Sequence, residues 1–158
     1  MSAGMSESPL EPLRFLAARL VLGEVRTDEL PDEATALLVE GLDSGSLRAL
    51  AGQDRWDGDR SRDLLGDALK ESGSGMPTGS EARRMLAEYL VRSLAEGRRD
   101  PYSACREIWS KAWNFGDDDT DLTPFVGLAT EWEESPESER SAIEDDMRQA
   151  AWDYLNRS

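Results

Sequence analysis

The sequence predicts an all-α protein, a single-domain bundle of about eight helices, and three observations support this fold class. Apolar residues recur at spacings of three and four from position 10 to position 155, as they do in helices that bury one face. Proline, glycine and capping residues divide this pattern into segments of helical length. No segment shows the sustained alternation of apolar and polar residues that indicates a half-buried strand.

The first half of the chain is predicted to form four helices. The first begins near residues 8–11, whose sequence SPLE has the spacing of a capping box and places proline at the first helical position. It ends at Gly23, since glycine often terminates a helix. The second helix covers residues 31–41, the short third one residues 47–51, and the fourth residues 59–72.

The second half is predicted to form four more helices. Residues 78–97 again begin with capping-box spacing and form the fifth helix. Steps of a capping residue followed by proline, at 100–101, 123–124 and 135–136, begin the last three helices.

The apolar positions of these last helices predict the core of the second half. The helix from Thr123 is predicted to bury an apolar stripe at i, i+3, i+4 and i+7, which consists of Phe125, Leu128, Ala129 and Trp132. The tryptophans Trp109 and Trp113 lie on a similar stripe and are expected in the core. The inner face of the last helix is expected to consist of Ile143, Met147, Ala150, Ala151 and Tyr154.

The sequence permits two interpretations of the domain organisation. We expect residues 1–7 to be disordered and residues 8–158 to form one domain, with a flexible connection at residues 71–79 (ESGSGMPTG). Residues 14–21 match residues 84–91 at five of eight positions. The match indicates either two related halves, 8–72 and 80–158, or chance similarity between helices rich in arginine, leucine and alanine.

Residues 124–132 (PFVGLATEW), together with Asp100-Pro101-Tyr102 and Ile108-Trp109, resemble a stretch found in uncharacterised small helical proteins of GC-rich bacteria. The resemblance covers residues 81–155 and implies a stable bacterial domain, but no function. The presence of sixteen arginines and only two lysines agrees with a GC-rich coding bias.

Charge is concentrated at the C-terminal end of the chain. Residues 117–158 hold thirteen acids and three arginines, a charge of −10 out of −15 for the whole protein. A dense negative field attracts basic surfaces and repels nucleic acid and anionic lipid. We therefore expect a basic protein partner, and neither nucleic acid nor membrane as a partner.

The sequence also predicts a cytoplasmic location. No stretch approaches the ~20 apolar residues of a membrane span, and the first residues, 1–8, have no signal-peptide pattern. The single cysteine cannot form an internal disulfide, so nothing indicates an oxidising compartment.

The acidic motifs do not complete a metal site. Asp117, Asp119 and Asp121 match the first three ligands of a calcium loop, but its sixth and twelfth positions hold Leu122 and Leu128 instead of glycine and an acid. The aspartates in residues 54–59 fail the same test. We expect no bound metal and no cofactor.

The sequence contains no combination of residues that is typical of a catalytic site. It contains no histidine, so Cys105 has no imidazole base and is interpreted as a buried structural thiol. Glu131, Glu133 and Glu134, and the acids at 144–146, are expected to be solvated, whereas acid–base catalysis needs carboxylates held in a cleft. The arginines between 83 and 99 are expected to pair with acids of neighbouring helices. We predict no catalytic residue.

These observations favour a non-enzymatic, acidic protein-binding domain that engages a basic partner, as inhibitors and immunity proteins do. The candidate partner-binding residues are Trp56, Glu144, Asp145, Asp146 and Trp152, because aromatic anchors contribute most of the energy of an interface while acids steer the encounter. Two alternatives stay open: an adaptor domain that forms homodimers through an apolar helix face, and a carboxylate–metal hydrolase.

Overall fold

The computed structural model describes residues 10–113 and 120–157, and it confirms the all-α fold. No strand occurs among these residues. Their eight α-helices are α1 (Leu10–Val21), α2 (Leu30–Val39), α3 (Gly45–Ala51), α4 (Gly58–Glu71), α5 (Gly79–Ala95), α6 (Pro101–Glu107), α7 (Thr123–Glu134) and α8 (Glu137–Arg157). The predicted disorder of residues 1–7 and the aspartates at 117–119 lie outside the described residues.

Three short helical segments are absent from the sequence-based prediction. Two are 3-10 turns, Thr27–Glu29 before α2 and Thr120–Leu122 before α7. The third is a π-helical turn, Ile108–Ala112, in which the Trp113 N–H donates to the Ile108 carbonyl oxygen at 2.8 Å. The sequence predicts one helix from Asp100 that includes this segment, because hydrophobic spacing does not distinguish α-helical from π-helical turns. In the structure that helix consists of α6 followed by the π-helical turn.

Side-chain caps begin several helices, and those at Thr78 and Asp100 lie where the sequence predicts them. The fourth helix is capped by Asp57, two residues before the Asp59 cap that the sequence suggests. Side-chain oxygens of Ser44, Asp57 and Asp100 accept hydrogen bonds from the backbone N–H three residues later, at 3.1, 3.2 and 3.0 Å. Thr78 and Glu81 form the predicted reciprocal capping box, at 2.9 and 3.1 Å. Each cap satisfies a backbone donor that the helix itself leaves without an acceptor.

Helices α1 and α5 end in the same way. Gly23 and Gly97 have φ of 78° and 76°, a left-handed conformation that glycine adopts without a steric penalty. Their N–H groups donate to Leu20 and Leu94 at 3.1 and 3.2 Å, and the next N–H in each case donates to the carbonyl five residues before it, at 2.8 and 2.9 Å. Both glycines were expected as helix ends from the sequence.

The chain divides into two compact units, of which the first ends at Ala82 and the second begins at Arg83. The boundary lies within α5, a few residues beyond the connection predicted at residues 71–79. The sequence-based prediction of one domain over residues 8–158, with halves 8–72 and 80–158, stays a prediction.

The core of the first unit is built mainly from leucines of its four helices, α1 to α4. Fully or almost fully buried members of this cluster are Leu13, Leu16, Leu30, Leu47, Leu50, Leu64, Leu65 and Leu69. A polar contact joins α3 to α4 at the surface, where the Ser46 hydroxyl donates to Glu71 at 2.5 Å. This hydrogen bond lowers the pKa of the Glu71 carboxyl.

The core of the second unit lies where α6, α7 and α8 pack together. Its buried side chains include Cys105, Ile108, Phe125, Ala129, Ile143, Met147 and Ala151. The Phe125 ring meets the Tyr154 ring edge to face at 6.2 Å between centroids. Ile143, Met147 and Ala151 recur every four residues and are buried, which confirms these three members of the predicted inner face of α8. The other two expected members, Ala150 and Tyr154, are half-buried.

One close approach in the first unit yields a test of its packing. A Cβ atom on Gly58, the first residue of α4, would lie 2.6 Å from Thr27 Oγ1 and 3.1 Å from Thr27 Cβ. We expect Gly58→Ala to lower the free energy of unfolding by about 1–2 kcal/mol, because a tightly packed neighbour must move.

Urea denaturation measures this cost, and Gly45→Ala is the matched control. Gly45 begins α3 in the same way, but nothing lies within 4 Å of its added Cβ, so this substitution should be neutral or stabilising. Thr27→Ala should recover part of the loss in Gly58→Ala. Equal effects of the two glycine substitutions would show that the contact with Thr27 is unimportant.

Candidate partner-binding surface

The exposed side of α8 carries three of the predicted partner-binding residues. Ile143, Met147 and Ala151 bury one side of this helix, whereas Asp145, Asp146 and Trp152 are exposed. Trp152 leaves 44% of its surface in solvent. Asp145 precedes it by seven residues, two helical turns, so both side chains lie on the same side of the helix. We refer to Asp145, Asp146 and Trp152 as the α8 surface.

The third acid of the prediction, Glu144, has a different environment. Its side chain is half-buried, and Glu144 Oε2 accepts a hydrogen bond from the Trp132 indole Nε1 at 3.0 Å. Successive residues of a helix point about 100° apart, so Glu144 faces α7 while Asp145 and Asp146 face solvent. Glu144 thus joins two helices of the unit.

Trp132 lies between two flat groups. The Tyr102 ring stacks on it with centroids 4.0 Å apart and planes inclined by 15°. The Arg140 guanidinium carbon lies 4.0 Å from the centroid of the Trp132 ring, and Arg140 Nε donates to the Trp132 carbonyl oxygen at 3.1 Å. Stacking and cation–π contacts therefore link α6, α7 and α8 through one indole.

This arrangement corrects the predicted positions of several apolar side chains. Trp109, Trp113, Trp132 and Leu128 were all expected in the core, but each is half-buried. Helical spacing locates the inward side of a helix without giving the depth of each side chain. A tryptophan whose N–H needs an acceptor also tends to lie at the edge of a core.

A second group of charged side chains extends the cluster around Trp132. The Tyr102 hydroxyl donates to Glu133 Oε2 at 2.5 Å, which raises the pKa of Tyr102. The Arg106 Nε atom lies 3.7 Å from the same carboxylate oxygen, and the Arg106 guanidinium lies 4.9 Å from the centroid of the Trp109 ring. These contacts join residues up to 31 positions apart, so no local sequence pattern could have indicated them.

Trp56 belongs to the first unit, whereas the other four predicted residues belong to the second. It lies in the turn between α3 and α4, and 81% of its surface is exposed. Trp56, which the sequence names only as a candidate partner-binding residue, is thus a solvent-exposed side chain. The structure brings together Glu144, Asp145, Asp146 and Trp152 on one helix and places Trp56 on a separate unit.

The charge of α7 and α8 is only partly balanced inside the unit. The two helices hold nine acids and three arginines, a formal charge of −6. All three arginines are engaged: Arg140 with Trp132, Arg148 with Asp145 at 3.0 Å, and Arg157 with Asp121 at 2.9 Å. Most acids therefore contribute to a negative surface potential.

The described residues contain no group of three or more acids or cysteines that could hold a metal ion. Of the residues compared with a calcium loop, Asp117 and Asp119 lie outside the described ranges, and Asp121 forms the ion pair with Arg157. Within the same described ranges, no helix combines the length and the apolar character needed to cross a membrane.

Cys105 is fully buried, as the sequence predicts. Burial raises the pKa of the Cys105 thiol to about 12, and the negative charge of Asp100 adds to this shift. A thiol that stays protonated at neutral pH is a poor nucleophile. Cys105 is therefore a packing residue of the second unit.

Searches against protein-family models, curated proteins and solved structures found no match to this chain.

The contact between Glu144 and Trp132 predicts a difference between two substitutions. Glu144→Ala removes the acceptor of the indole N–H and should lower the free energy of unfolding by about 1 kcal/mol. Glu144→Gln keeps an acceptor oxygen and should cost clearly less. Trp132→Ala removes the whole stacked indole and should cost about 2–4 kcal/mol, somewhat below the usual range for a fully buried tryptophan.

Urea denaturation of these variants tests the contact, with the exposed Glu139→Ala on the same helix as control. A double-mutant cycle between Trp132→Phe and Glu144→Ala isolates the pair, since phenylalanine keeps a ring but lacks the N–H donor. Strict additivity in this cycle would contradict a stabilising hydrogen bond between α7 and α8.

The raised pKa of Cys105 predicts a loss of stability at alkaline pH. In the unfolded chain the thiol ionises above pH ~8.5, whereas burial raises its pKa in the folded protein to about 12. Between these values the unfolded state binds fewer protons, so the free energy of unfolding falls by at most ~1.4 kcal/mol per pH unit.

The Cys105→Ala variant should lack this decrease in the free energy of unfolding at alkaline pH. The difference in stability between wild type and Cys105→Ala should be constant below pH ~8.5 and should shift in favour of the variant above it. Denaturation between pH 7 and 10.5 in the presence of a reductant measures this difference. Parallel pH profiles would show that Cys105 ionises equally easily in both states.

Proposed function

We propose that the protein is a non-enzymatic binding domain whose α8 surface engages a basic protein partner. The observation that carries the proposal is Trp152, which exposes 44% of its surface on a helix where Asp145 and Asp146 are also exposed. Large aromatic side chains supply much of the binding energy at interfaces. The proposal assigns no catalytic residue and no cofactor to the chain.

The charges of the second unit support a basic partner. Helices α7 and α8 have a formal charge of −6, and their arginines are engaged in internal contacts. Such a surface attracts lysine- and arginine-rich proteins from a distance, and it repels nucleic acid and anionic lipid. The acids would accelerate the encounter, and burial of the indole would then slow dissociation.

The structure also determines which residues a test should change. Glu144 is left intact, because it holds the Trp132 indole. Asp145→Asn/Asp146→Asn removes two charges from the α8 surface, and Trp152→Ala removes the aromatic group. Asp63→Asn/Asp67→Asn on α4 is the matched control, since it makes the same change of net charge at exposed positions of the first unit.

Wild-type and variant proteins immobilised as bait should differ in what they retain from a bacterial lysate. We expect basic proteins on the wild type and on the α4 control, with reduced retention by the α8 variants. Stopped-flow measurements with a purified captured protein should then show an association rate that falls as salt rises from 0.01 to 0.15 M, where the Debye length shortens from ~30 Å to ~8 Å.

The two α8 variants should affect different rate constants. At low salt, Asp145→Asn/Asp146→Asn should slow association by roughly threefold or more, while Trp152→Ala should mainly accelerate dissociation. A captured partner that binds all variants equally, or whose binding is indifferent to salt, would argue against the α8 surface.

A further inference from the structure

We propose that the turn at residues 54–59 of the first unit is a second contact surface, which inserts the Trp56 indole into an apolar pocket bordered by lysine and arginine on a partner protein. This inference goes beyond the proposed function, because it concerns the other compact unit and none of the α8 residues. It would hold even if the α8 surface bound nothing.

The exposure of Trp56 is the first observation behind the proposal. Its side chain is 81% exposed, compared with 44% for Trp152, and Trp109, Trp113 and Trp132 are half-buried. Transfer of an exposed indole from water into an apolar site is favourable, because it buries a large apolar surface. A partner that covers Trp56 would therefore be stabilised by burial of the indole.

The backbone of the turn is ordered around Trp56. Asp54 Oδ1 accepts the Trp56 N–H at 2.9 Å, and the Asp54 carbonyl oxygen accepts the Asp57 N–H at 3.1 Å. Asp57 in turn caps α4 by accepting the Arg60 N–H at 3.2 Å. These hydrogen bonds favour one backbone conformation of the turn before binding, which lowers the conformational entropy that binding would cost there.

The charges beside the indole specify the chemistry of the partner. Residues 54–59 hold three aspartates and one arginine, a formal charge of −2, and the side chains of Asp54, Asp57 and Asp59 are all exposed. An apolar pocket with a basic border complements an indole among carboxylates. The same charges disfavour binding to nucleic acid or to an anionic membrane. They also disfavour binding to a second copy of this chain, whose net charge is −15.

A random peptide library displayed on phage tests the proposal with a defined probe. The library is selected on immobilised wild-type protein and counter-selected on Trp56→Ala. We expect enriched peptides that combine apolar residues with lysine or arginine. They should bind Trp56→Ala about tenfold or more weakly than wild type, because the loss of an aromatic anchor typically has at least this effect. Trp56→Phe should lie between the two.

Two controls separate the anchor from folding and from the α8 surface. Trp56→Ala should keep the wild-type melting temperature, because the side chain is mostly in solvent. Trp152→Ala should bind the peptides like wild type. Asp59→Asn should weaken binding mainly at low salt, and it is the suitable charge variant because Asp54 and Asp57 each hold a backbone N–H.

The outcomes discriminate between occupants of the turn. Enriched peptides that bind Trp56→Ala as tightly as wild type, or that lack basic residues, would overturn the proposal. A dependence on Trp152 instead of Trp56 would overturn it and support the α8 surface alone. A wild-type dimer in sedimentation velocity that Trp56→Ala abolishes would identify a second copy as the occupant and would equally overturn it.

Discussion

The Trp132 indole is the contact on which the architecture of the second unit depends. One of its faces stacks on Tyr102, the Arg140 guanidinium lies against the ring, and its N–H donates to Glu144. These partners come from α6 and α8, while Trp132 itself belongs to α7. Dispersion, a cation–π contact and a hydrogen bond thus act on the same side chain, and together they determine the rotation of α8 about its own axis.

The rotation of α8 decides what its acidic run can do. Glu144, Asp145 and Asp146 are adjacent in sequence, yet the first faces α7 and the other two face solvent. The buried residues Ile143 and Met147 require the same orientation, so apolar packing and the polar contact at Trp132 agree. A run of three acids therefore combines one structural side chain with two exposed ones, of which Asp145 also pairs with Arg148 at 3.0 Å. This agreement between independent contacts is what makes a single orientation stable.

Local sequence features predicted most of the fold. The eight helices, the capping box at Thr78, the glycine ends at Gly23 and Gly97 and the buried Cys105 all follow from periodicity and from the chemistry of helix termini. The depth of the tryptophans, the π-helical turn at residues 108–112 and the contacts of Glu144 did not follow. These features depend on which helices meet and at what distance, and that information is distributed over residues far apart in the chain.

The high negative charge and the exposed tryptophans both affect how this protein associates with other molecules. An exposed indole would ordinarily promote association between copies, because its burial is favourable wherever an apolar surface is available. With a net charge of −15, two copies repel each other at every distance that salt does not screen. The same field attracts a basic protein. In the proposed function, charge would select which proteins approach the indole, and burial of the indole would determine how slowly a bound partner dissociates. Both proposed contact surfaces would combine these two effects, since Trp152 on α8 and Trp56 on its turn are each accompanied by exposed aspartates of their own unit.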